Sequence, residues 1–201
     1  DWLARDLANN GYDLKRLIRG IVLSDAYAIS SQFSGEGEFP APETFAVGSV
    51  RVLTPRQYSL SLLVAAANPD QVSQHVVAND WAKRREQLES ESNGLAGKIE
   101  LPGDNFQVSV DEALLFSNSD QIQNTLLKDS ADRLVGVLKS IGDRRQLIGR
   151  AFEVMLSRTP DKDEIAAFEA FLTKREKQGR VVAIQQMVWA LLTSPELRFN
   201  Y

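Results

Sequence analysis

A polar capping residue followed by apolar side chains three and four positions apart recurs along the chain, a pattern that admits little other than packed helices. Thr54-Pro55-Arg56-Gln57 is the clearest case. Threonine caps, proline fits the first helical position, and glutamine three residues on returns a bond to the cap. Asp161 with Glu164 repeats the device, as do Ser109 with Glu112 and Asn118 with Gln121, while Asp13 caps a stripe of Leu14, Leu17, Ile18 and Ile21. These starts predict helices over 1–9, from 13, over 55–67, from 69 to about 91, over 131–140 and 144–157, and from 161, before a last one carrying Ile184, Val188, Leu191 and Leu192.

The stops are as plain as the starts. Asn10-Gly11 ends the first helix, Thr159-Pro160 and Gly179 interrupt the later ones, and Ser194-Pro195 closes the last. Residues 30–49 are rich in Ser, Gly, Pro and Glu and read as a loop; Gly94, Gly97, Pro102 and Gly103 mark a second break over 93–108. The expected fold is all-α, an irregular multi-helix bundle of roughly eight to ten helices with long Gly/Pro loops. It forms either a single domain over 1–201 or two helical lobes, 1–93 and 109–201, joined by loop 94–108. The apolar stripes, that of Leu14 to Ile21 included, read as core.

Composition removes whole classes of chemistry. The chain has 201 residues, a formal charge of −4, and acids and bases interleaved, so the basic stripe that nucleic acid requires is missing and no such partner is expected. It has no cysteine, which excludes disulfides, thiolate zinc sites, iron–sulfur clusters, covalent haem attachment and a cysteine nucleophile within these residues. We therefore expect no cofactor here, haem being conceivable only in an upstream domain. No apolar run reaches the length of a membrane span. Because Asp1 opens inside a helix without a methionine, we expect the natural N-terminus to lie further upstream.

Few residues invite a functional reading. His75 is the single histidine, with only Asn79 and Asp80 at helical distance, and reads as a structural helix residue before it reads as a ligand. Asp161, Asp163 and Glu164 crowd a helix start, where capping and the dipole explain them; Asp104, Asp111 and Glu112 have the same explanation. Trp2, Trp81, Trp189, Tyr12, Tyr27, Phe45 and Phe199 would suit a sugar-binding groove, but rings at helical spacing more often fill a core. Phe33, Phe39 and Phe45 sit in the 30–49 loop, where rings tuck under the loop or touch a neighbour. Trp2, Phe33, Phe39, Phe45 and His75 are thus the candidate contact residues, with no catalytic residue assigned.

Three stretches carry a resemblance: DWLARDLANNGYDLKRLIRGIVLSDAYAISS at the start, RVLTPRQYSLSLL in the middle, and the run from LLFSNSDQI through FEVMLSRTPDKDEIAAFEAFL to MVWALLTSPELRFNY. Together they resemble a planctomycete-type family, number 1553 in the series of domains of unknown function. The chain departs from that pattern at Gln57, Asp161, Thr193 and Tyr201. The resemblance implies a C-terminal place in exported, periplasmic or cell-surface bacterial proteins, often behind a cytochrome-c-like domain, and implies no activity. From this we expect a non-catalytic helical module that packs against upstream domains of the same polypeptide. The alternative is an enzyme or binding unit for extracellular glycan.

Overall fold

The computed structural model describes residues 1–33, 35–72, 78–100, 113–116, 120 and 122–200. Helix dominates these residues, and strand is confined to β1 (Arg51–Val52) and β2 (Phe199–Asn200), which pair with each other. The all-α expectation holds. The chain divides into two compact units, Asp1–Arg51 and Val52–Asn200, so the division falls at 51/52 rather than in the 94–108 stretch. Residues 101–112 lie outside the described residues, as do Asn118 and Gln121.

The first unit is a helical hairpin followed by a loop. In α1 (Trp2–Asn9) and α2 (Leu14–Val22) no residue is buried. Asp13 caps α2 as expected, accepting from the Arg16 N–H, and Gly11 takes the left-handed conformation (φ +66°) at the turn. What ties the helices together is polar: Arg16 donates to both oxygens of Asp6, at 2.6 and 3.2 Å. The guanidinium hydrogen bond holds the Asp6 carboxyl below its ordinary range. Reading Leu14, Ile18 and Ile21 as core is corrected here, because all three stand in solvent. Helical spacing shows that side chains share a face; whether anything covers the face is a non-local matter.

The second unit has a proper core. Its helices are α3 (Pro55–Ala66), α4 (Ala78–Ala96), a π-helical turn (Ile122–Leu126), α5 (Leu134–Leu138), α6 (Arg144–Leu156), α7 (Lys162–Arg175), α8 (Arg180–Leu192) and α9 (Pro195–Arg198). Both bonds of the Thr54–Gln57 and Asp161–Glu164 capping boxes form. Helix α8 is the axis. Ala183, Ile184, Met187, Val188, Leu191 and Leu192 are all buried, and α3, α5, α6 and α7 pack around it. A helix this apolar is stable only when enclosed on most sides. Its polar side chains reach outward to fix neighbours: Gln185 donates to the Leu127 carbonyl and Trp189 to that of Phe116, each at 2.7 Å.

Two expectations for 69–97 are corrected. Pro69–Gln71 forms only a 3₁₀ turn, capped by Asn68, and residues 73–77 lie outside the described residues; the long helix is described from Ala78. It then runs through Gly94 to Ala96, although a glycine costs a helix about 1 kcal/mol. Leu88 and Leu95 are buried on its inner face, and burying a leucine contributes about 1.5–3 kcal/mol, so packing outweighs propensity.

Backbones approach most closely at Gly136 in α5, where an added Cβ would collide with the Ser130 carbonyl oxygen. Helix propensity alone would make Gly136→Ala stabilising by about 1 kcal/mol. The contact reverses the sign, and we expect a loss of about 1–3 kcal/mol in urea unfolding. A stabilised G136A variant would show that α5 and the 130 loop are not pressed together.

Candidate functional site

The most elaborate polar arrangement centres on Arg158, just past the C-terminus of α6. Ser157 there adopts a left-handed conformation (φ +56°), ending the helix. The Arg158 guanidinium donates to Glu196 from Nε (2.6 Å) and Nη2 (2.8 Å), and to Glu164 from Nη1 (2.8 Å) and Nη2 (2.7 Å). Its Cζ lies 5.1 Å from the Phe152 ring centroid. One side chain thus joins the end of α6, the first turn of α7 and α9. Glu164 also accepts from the Asp161 N–H at 2.8 Å, so one carboxylate serves the ion pair and the capping box together.

Such planar two-pronged pairing is the geometry in which arginine outperforms lysine. Bonds from Arg158 hold the Glu164 carboxyl below its ordinary value, and the two carboxylates in turn hold the guanidinium proton more tightly. Both acids are occupied by the same cation. The cluster is a clamp.

Behind the clamp lies a cleft. Phe152 meets Phe168 edge to face at 5.5 Å, and Phe168 lines a depression of about 590 Å³ between α7 and α8. Phe171, Trp189, Ala167 and Ala190 complete its apolar wall, with Gln123, Gln186 and Arg175 as the polar members. Trp189 is fixed by its bond to Phe116, and Arg175 lies 5.9 Å from the Phe171 ring centroid. The Gln186 Oε1 atom is buried and accepts no hydrogen bond among the described residues. Chemically this is a recess with flat apolar faces and a few polar side chains.

The residues singled out in the sequence lie elsewhere. Trp2 (74% exposed), Phe39 (65%) and Phe45 (79%) all stand in solvent on the first unit. Phe45 does so with a positive φ of 52°. Phe33 is half-buried: its ring lies over Gly35 and meets Phe39 edge to face at 6.0 Å. His75 lies outside the described residues. The reading of the aromatic set as core is corrected for Trp2, Tyr12, Tyr27, Phe45 and Trp81, which are exposed; Tyr58, Phe116 and Phe152 fill the core instead. Phe168 and Phe171 were legible as one helix face, but nothing in their spacing indicates that a recess forms beside them. Gln186 carries no sequence signal at all.

Residues 1–99 match the model of a family described as PSD1, protein of unknown function (DUF1553). The match covers the first unit and ends past α4, inside the second. No curated protein and no solved structure matches the chain.

Removing the cation from the clamp leaves two carboxylates facing one another. Arg158→Met should cost about 1–3 kcal/mol, between the values for exposed and buried pairs. Glu164 titrates with the opposite dependence to a histidine. Its folded pKa is depressed, so its stabilisation is complete above the ordinary value of 4.5 and is lost as pH falls below it toward the folded pKa. Glu164→Gln should therefore flatten the acid limb of a stability–pH curve; an unchanged limb would show that the clamp contributes nothing.

Proposed function

We propose that this chain, whose residues 1–99 match the DUF1553 family, serves as a non-catalytic helical module that docks onto other domains of the same exported polypeptide. What supports this reading is the state of the first unit. Trp2, Leu3, Leu14, Ile18 and Val22 stand exposed on helices that bury nothing, and Leu23, the residue after α2, is exposed too. A helix pair of this length has no independent stability in water without an apolar partner, and one ion pair does not supply it. Exposed apolar side chains in this number mark a contact surface. The choice of partner rests on the company implied by the family resemblance, in which this region follows other domains of an exported protein.

The test uses separately produced upstream domains of the polypeptide. Leu14→Glu and Ile18→Glu, both at exposed positions, should leave stability within about 0.5 kcal/mol of the parent. They should weaken capture of the upstream portion by about tenfold or more. Full-strength capture by both variants, or no capture by the parent chain, would remove the proposal.

A second reading has one specific observation in its favour. The Phe168–Phe171–Trp189 recess combines apolar ring faces with the polar side chains of Gln123, Gln186 and Arg175, which is the chemistry that receives a sugar ring and its hydroxyls. Under this reading the domain binds extracellular glycan without cleaving it. Phe171→Ala should then abolish a glycan-array signal given by the parent chain, and a blank array for the parent would end this alternative.

A further inference from the structure

A second cavity, of about 350 Å³, opens between α4, the π-helical turn and the loop before α5. Its walls are Leu63, Leu95, Ile122 and Leu126, each at most 3% exposed. Glu91, Asn124, Lys128 and Asp132 stand at its exposed edge. The cavity also holds Arg133, whose side chain is only 10% exposed.

The guanidinium of Arg133 is incompletely satisfied. Its Nε lies 3.4 Å from Asp132 Oδ2, while Nη1 is buried and has no hydrogen-bond partner among the described residues. Buried charged donors are ordinarily matched, so a guanidinium that lines a cavity with part of its donor set unmatched is suited to receive an anion there. The residue is held there deliberately by the backbone. Asn68 donates from its N–H to the Asp132 carbonyl (3.0 Å) and from Nδ2 to that of Ala131 (2.8 Å), and Ala67 forms an antiparallel bridge with Arg133. The facing wall is a π-helical turn, a rare conformation that is frequent at binding sites.

We propose that this cavity binds a small carboxylate with an apolar tail, its head on Arg133 and its tail against Leu63, Leu95, Ile122 and Leu126. A carboxylate matches the planar fork of a guanidinium and brings a single negative charge. A phosphate dianion would place its second charge among Glu91 and Asp132, which balance Lys128 and Arg133 and leave the lining without net charge. An alkylamine would meet Arg133 as a like charge. The site shares no described lining residue with the aromatic recess.

The experiment titrates the whole 201-residue chain with butyrate, phosphate and butylamine, following amide and arginine side-chain resonances by NMR. Saturable shifts with butyrate alone, centred on 122–133, are expected. Arg133→Lys keeps the charge but loses the fork, and should bind butyrate about tenfold more weakly. Should that variant fail to fold, Thr125→Phe leaves Arg133 in place and fills the cavity from the π-helical turn; it should abolish the shifts. The absence of saturable shifts in the parent chain overturns the proposal. So does equal response to phosphate or butylamine, or undiminished binding by the variants.

Discussion

A helix with apolar side chains on nearly every face cannot be left at a surface, and α8 imposes that condition on the second unit. Its buried residues from Ala183 to Leu192 need partners all round, and α3, α5, α6 and α7 supply them. Other features follow from this demand. The outward bonds of Gln185 and Trp189 fasten the segments around Leu127 and Phe116 to the axis. Tyr58 on α3 reaches the end of the same helix through the Leu192 carbonyl at 3.3 Å, and the buried Arg198 of α9 covers the Tyr58 ring at 4.2 Å. The cleft between α7 and α8 exists because the axis is covered incompletely along that side.

The Arg158 clamp joins residues that are far apart in the C-terminal half of the sequence. In the stretch SRTPDKDE, the arginine and the last acid stand six residues apart; in TSPEL the acid lies thirty-two residues further on. In the fold the three side chains converge, and Phe152 backs them. One arginine pairs with acids at the starts of two helices, and Phe152 links it to Phe168 in the wall of the aromatic recess.

The two units stand in contrast. The second unit encloses its apolar stripes; the first leaves its own uncovered and relies on the Asp6–Arg16 pair and its caps. The family match spans both, ending past α4, whose chief packing partner α3 also lies within it. Leu88 and Leu95 belong to a core that also includes residues beyond position 100.

By itself the sequence determined the helical class, the caps at Asp13, Thr54 and Asp161, and the breaks at Gly11 and Gly179. These are decided within three or four residues, by which side chain can reach which free N–H and by which backbone admits a positive φ. Tertiary structure alone decided which apolar stripes are core. The stripe of Leu14 and Ile18 and that of Ile184 and Val188 look alike on paper, yet one is open and the other sealed. It also carried α4 through Gly94, joined Arg158 to acids on two other helices, and left Arg133 buried beside a cavity. Burial and ion pairing depend on residues far apart in the chain, and no local pattern encodes where those residues will meet.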